Sequence, residues 1–160
     1  MKYQQVNSKI IEQLYSVLDP AYVLTDVEYL KKYGHDETEN LNYPPEVILK
    51  PSTAVEVAEI MKLASKENIP VTPIGARTGL SGGALSIYGG IGLSMERFNK
   101  IITIDEDNHQ VLVQPGVITQ VLQEEVAKKG LYYAPDPASR GSCFIGGNIA
   151  ENSGGPRALK

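Results

Sequence analysis

Two stretches of this 160-residue chain are short of side chains. Seven of its fifteen glycines fall between Gly75 and Gly92, and five more between Gly141 and Gly155. Even scattering of the fifteen glycines would put roughly three in windows of that size, and an average glycine usage of about 7% would put about two. The first window contains Pro73-Ile74-Gly75-Ala76-Arg77-Thr78-Gly79-Leu80-Ser81-Gly82-Gly83. Where Cβ atoms are missing, successive N–H groups can point into one concavity, which suits an anion with several oxygens. Thr78 and Ser81 add hydroxyl donors and Arg77 adds a fixed positive charge. Together these are the donors a diphosphate needs, and they would let a chain of net charge −4 hold one. The alternative is a glycine-rich turn that only reverses the chain, although this segment is longer than a turn requires. Neither common phosphate motif is present. There is no Gly-x-x-x-x-Gly-Lys-Ser/Thr, and Gly90-Ile91-Gly92 has Met95 where a third glycine of Gly-x-Gly-x-x-Gly would fall.

The second segment runs from Pro135 to Gly155, with Pro135 and Pro137 stiffening its start. Gly146-Gly147 would allow flat contact with a ligand. Asn148 and Asn152 are four apart, so on one helical turn they would share a face and offer amides to a heterocycle or to the first loop. Caps or turns are the structural alternative for both asparagines. Cys143 reads as a small, partly buried residue, because no partner histidine can be argued for it. His35 and His109 fall in a polar stretch and a turn. No His, Cys and Asp grouping has metal-ligand spacing, so no metal site and no catalytic residue is assigned.

The elements that must position these segments follow from periodicity and punctuation. Residues 7–18 read as an amphipathic helix capped by Asn7 or Ser8, with Ile10, Leu14, Val17 and Leu18 inward. Residues 26–33 read as a second short helix between Asp26 and Gly34. His35–Pro45 is polar and ends in prolines, and reads as a linker. Glu46–Pro51 is a strand. Thr53 and Glu56 form a capping box for a helix to about Lys66, with Val57, Ile60, Met61 and Ala64 on one face. Ile69–Ile74 is a strand, which makes a parallel βαβ unit leading straight into the first glycine loop. Strands are expected at 91–95, 101–104 and 110–113, the last two joined by the turn Asp105–Asn108. A helix is expected over 118–129, with Val121, Leu122 and Val126 inward. Residues 1–42 therefore read as a helical segment and linker, and 43–160 as the domain that carries the glycine segments.

Composition narrows the functional classes. Hydrophobic residues are 42% and charged residues 21%, close to globular averages. Fifteen basic against nineteen acidic residues argues against nucleic acid as a partner. No run approaches the apolar length of a membrane helix. The opening MKYQQVNSKIIEQL lacks the features of a signal peptide, and with one cysteine the expectation is a cytoplasmic location, with peripheral contact to a membrane electron acceptor as a further expectation.

PIGARTGLSGG, then PDPAS, then IGGNIAENSGG, in that order, resembles the FAD-linked oxidases of the vanillyl-alcohol oxidase and p-cresol methylhydroxylase fold. The likeness covers Pro44 to Lys160 and is nearest to the glycolate oxidase subunit and D-lactate dehydrogenase branch. It implies an α+β fold with α/β-type lobes: an FAD-binding domain, here incomplete, with an N-terminal helical extension. It implies FAD as cofactor, lying between two lobes and gripped by both glycine segments. Carried over by motif, Pro73, Gly75, Arg77, Thr78, Gly79, Leu80 and Ser81 would hold the pyrophosphate. Pro135, Asp136, Ser139, Gly146, Gly147, Asn148 and Ala150 would line the pyrophosphate, ribose and flavin side, with Ile145 packing on it. Ser142 and Cys143 fall where relatives carry small residues near the cofactor. The implied reaction is oxidation of a 2-hydroxy acid of D-lactate or glycolate type, by hydride transfer to flavin, in a longer parent protein. The rest of the domain, a cap domain and the catalytic residues would then follow Lys160, and the exposed lobe face of this piece would favour self-association. A non-catalytic FAD- or nucleotide-binding fragment, or a flavin reductase of the same fold, is the alternative. The tail Asn148–Gly155 favours the hydroxy-acid branch.

Overall fold

The computed structural model describes residues 3–157, which form two compact units divided between Arg97 and Phe98. In the first unit Asn7 accepts a hydrogen bond from the Ile10 N–H at 3.1 Å and starts helix α1 (Ser8–Tyr15). Ser16–Leu18, expected as its last turn, instead tightens into a turn that still buries Leu18. A 3-10 turn at Pro20–Tyr22 leads to β1 (Val23–Leu24), a strand too short to show in the sequence pattern. Asp26 caps α2 (Val27–Tyr33) by accepting from the Glu28 N–H, and Gly34 ends it.

The buried run Val47–Leu49 is β2. The capping box at the start of α3 (Ala54–Lys66) is present: Thr53 Oγ1 accepts from the Glu56 N–H at 3.2 Å, and Glu56 Oε2 from the Thr53 N–H at 3.0 Å. Ile60 and Ala64 are buried and Val57 packs on the core. Met61, expected beside them, is 44% exposed. Its Cα lies about 100° around the helix from Ile60, beyond the edge of the buried stripe. β3 (Val71–Ile74) and β4 (Ile91–Ser94) complete a four-stranded sheet of order β1-β2-β4-β3. β4 is parallel to both β2 and β3, so the expected βαβ crossover passes over a strand that lies between its two ends. Ile10, Leu14, Leu49, Ile60 and Leu93 share one core, so the N-terminal helix packs on the same sheet.

The second unit pairs β5 (Ile101–Asp105) with β6 (Gln110–Val113) as an antiparallel hairpin, and Asp105 Oδ1 accepts from the Asn108 N–H at the turn. Helices α4 (Thr119–Ala127) and α5 (Ile145–Ala150) follow. Val117, Leu122, Val126 and Ile145 form the core, with Ile104 and Val111 of the hairpin packed on it. Val121, expected inward, is 43% exposed, one position from Leu122 and so off the buried stripe.

Candidate functional site

β3 ends at the fully buried Ile74, and the chain then runs without regular structure to Gly90. Among the described residues, the N–H groups of residues 75–80 have no hydrogen-bond partner. Their surroundings are fixed. Met95 N donates to Ile74 O at 2.9 Å, Glu37 N to Gly79 O at 3.0 Å, and Gly82 N to Thr38 Oγ1 at 3.0 Å. Arg77 has φ 61°, a left-handed conformation that costs a non-glycine residue about 1–3 kcal/mol and persists only where neighbours impose it. A left-handed residue within a run of open N–H groups is the backbone pattern of an anion nest. Gly75, Arg77, Thr78 and Gly79 are half-buried, whereas Pro73, Leu80 and Ser81 are exposed.

A charged and aromatic cluster backs this loop within the same unit. The Arg77 guanidinium lies 4.7 Å from the centroid of the Tyr33 ring. Tyr33 donates its hydroxyl to Glu96 Oε2 at 3.0 Å, and Glu96 Oε1 pairs with Lys50 Nζ at 2.6 Å. Burial pushes the Glu96 carboxyl up, but the Lys50 and Tyr33 hydrogen bonds outweigh it and hold the group below its ordinary 4.5. Burial pushes the Lys50 ammonium down, and the same two partners hold it above 10.5.

In the second unit, Pro135 O accepts from Gln123 Nε2 at 2.9 Å. Asp136 accepts from Arg140 Nη1 at 2.7 Å, a bond that holds its carboxyl below 3.8, and its N–H donates to Gly154 O. Ser139 O accepts from the N–H groups of Ser142 and Cys143, which closes a turn ahead of α5. Ile145 is 3% exposed and belongs to the core. The two glycines that follow differ. A Cβ at Gly146 would lie 2.6 Å from Pro115 Cβ, so packing alone explains that glycine, whereas a Cβ at Gly147 would meet nothing within 4 Å. Gly147 and Ala150 are exposed. Asn148 is buried and donates through Nδ2 to Thr119 Oγ1, which itself lies 3.2 Å from Cys143 Sγ and 3.4 Å from Cys143 O. Asn152 does not share its face, because α5 stops at Ala150 and Asn152 turns to φ 52° beyond the helix end. Thr119 went unread in the sequence, since a contact spanning 29 residues leaves no local signal.

Residues 45–160 match the sequence profile of the FAD binding domain. The chain belongs to that family. As an FAD binding domain its cofactor is FAD, and the donor chemistry of the first loop fits it: a run of unpartnered N–H groups beside an arginine suits a diphosphate. D-lactate dehydrogenase of Anaerostipes hadrus is 41% identical to this FAD binding domain over 160 residues, covering 99% of this chain and 33% of that protein. Glycolate oxidase subunit GlcD of Bacillus subtilis is 41% identical over 128 residues, covering 80% of this chain and 27% of that one. The chain thus spans about a third or less of the curated relatives it matches. The crystal structure of p-cresol methylhydroxylase with substrate bound superposes with a TM-score of 0.69 at 24% identity, over 77% of this chain and 25% of that one. The fold is therefore that of part of a p-cresol methylhydroxylase-type FAD binding domain.

Proposed function

We propose that this chain is the cofactor-holding part of a flavin-dependent oxidoreductase that oxidises a 2-hydroxy acid. The observation that carries the reading is the run of unpartnered N–H groups at residues 75–80, with Arg77 held in their midst. In this reading Pro73, the next-to-last residue of β3, stands at the entry to the loop. Gly75, Arg77, Thr78, Gly79, Leu80 and Ser81 bind the diphosphate. Pro135, Asp136, Ser139, Gly147, Asn148 and Ala150 line the ribose and flavin side, while Gly146 and Ile145 seat α5 on Pro115 and the core. The substrate class is supported by the relatives' names, since D-lactate and glycolate are both α-hydroxy carboxylates. When bound, FAD supplies an acceptor for the hydride lost from the substrate's α-carbon. The hydroxyl proton leaves separately to a base, and a 2-oxo acid results. In this division of labour the residues of this chain bind and orient, and the proton-accepting group lies elsewhere in the protein.

Titration of the chain with FAD, followed by flavin fluorescence, tests the diphosphate assignment. Gly79→Val should weaken binding by about tenfold or more, because a branched side chain intrudes where the backbone must approach the anion. ADP should compete with FAD and riboflavin should not. Unchanged affinity in Gly79→Val, or competition by riboflavin alone, would overturn the assignment. A non-catalytic FAD-binding module is the second reading, favoured by the chain's span of about a third of its relatives. Turnover of D-lactate or glycolate by this chain alone would exclude it.

A further inference from the structure

Residues 33–43 lie ahead of the segment that matches the family, yet they meet the first glycine loop at three points. The Tyr33 ring faces the Arg77 guanidinium at 4.7 Å, the Glu37 N–H donates to Gly79 O, and Thr38 Oγ1 accepts from the Gly82 N–H. The stretch is closed on itself. Tyr43 N donates to Gly34 O at 2.6 Å, and the buried Asp36 accepts from the Thr38 N–H at 2.9 Å. A Cβ at Gly34 would meet Asn42 Oδ1 at 2.5 Å and the Pro44 nitrogen at 2.9 Å, so the closure leaves no room for a side chain there. The segment expected as a linker is thus a strap seated on the loop. Tyr33 itself is 8% exposed and is held by its hydroxyl bond to Glu96, whose carboxylate also binds Lys50.

We propose that Tyr33 is a positioning residue for the diphosphate: it seats the Arg77 guanidinium and acts through it, without touching the cofactor. The inference rests on reading residues 75–81 as the diphosphate loop. A free arginine side chain loses several rotatable bonds when it binds an anion. One already stacked on an aromatic face has lost much of that freedom beforehand, so less is lost on binding. The strap contributes in a second way. The Gly79 carbonyl, which would repel an anion, is occupied as an acceptor by the Glu37 N–H.

A double-mutant cycle on FAD affinity tests this. Tyr33→Leu should weaken binding by about three- to thirtyfold, the equivalent of losing a cation–π contact, and Arg77→Met, which removes the charge itself, by at least as much. The double variant should be no weaker than the worse single one, because both changes act through the same guanidinium. Tyr33→Phe, which keeps the ring, should retain most of the affinity. Effects that add, or a Tyr33→Leu chain that binds normally while Arg77→Met does not, would overturn the role of Tyr33 and leave the loop reading standing. Failure of the unmodified chain to bind FAD, or an Arg77→Met chain that binds normally, would overturn both. Nuclear magnetic resonance of the unmodified chain gives a readout independent of how well the variants fold. The Arg77 side-chain protons should be shifted upfield by the Tyr33 ring, and signals at ordinary positions would contradict the stack.

Discussion

Replacing Gly147 by alanine should make the free chain more stable and its hold on FAD weaker. Gly147 is the third residue of α5, and a Cβ built there meets no atom within 4 Å. Alanine would gain helix propensity and restrict the unfolded chain, a stabilisation of about 0.5–1 kcal/mol. For a chain of this length that is a rise of roughly 1–4 °C in Tm. The preceding residue is an internal control. A methyl at Gly146 would lie 2.6 Å from Pro115 Cβ and 3.0 Å from Pro115 O, so Gly146→Ala should lose about 1–3 kcal/mol by overpacking. If the cofactor covers the open side of Gly147, a methyl there intrudes on a close contact. A penalty of about 1–3 kcal/mol corresponds to a Kd raised about five- to 150-fold. Thermal melts of the free chain and FAD titration of the same samples measure both sides. A Gly147→Ala chain that is more stable yet binds FAD with unchanged affinity would refute the placement of this face against the cofactor. A destabilised one would refute the account of its packing.

Thr119→Val should destabilise the second unit by about 1–3 kcal/mol, because it leaves the buried Asn148 amide without its acceptor. Thr119→Ser should recover most of that loss, and denaturant midpoints that do not separate the two variants would contradict the network. Glu96→Gln should flatten the acid side of the stability profile. The folded carboxyl lies below 4.5, so its contribution is present above that value and fades as the pH falls through the folded value. With the carboxylate 37% exposed, the loss at neutral pH should be only about 0–1 kcal/mol. Urea midpoints from pH 7 down to pH 2 that run parallel in both chains would show that the Glu96 carboxylate makes no such contribution.

Elements marked by local chemistry were legible in the sequence. Asn7, Asp26 and the Thr53–Glu56 box each cap a helix where the pattern placed one. The β5–β6 hairpin closes at its Asp105–Asn108 turn. What escaped depends on contacts between distant residues. β1 is only two residues long and exists because it pairs with β2, so no run of residues announces it. Met61 and Val121 sit at the edges of apolar stripes, where the partner surface decides which neighbour is covered. His35–Pro45 has a linker's composition, but Gly79 and Gly82, more than forty residues away, hold its middle in place. The glycine clusters merged two causes. Gly146 and Gly155 are bare because Pro115 and the Asp136 carbonyl crowd them, whereas Gly147 faces open space. Only coordinates separate a glycine needed by packing from one left free for a ligand.

In the proposed reading, FAD contacts both the glycine loop at residues 75–83 and the α5 segment at residues 145–150. Amide hydrogen exchange of the chain with and without FAD tests it most directly, because the N–H groups of residues 75–80 have no partner in the described structure and should exchange fast until a ligand supplies one. Saturating FAD should slow exchange in both segments, at the same ligand concentration. Protection confined to one segment, or none in residues 75–80, would contradict it.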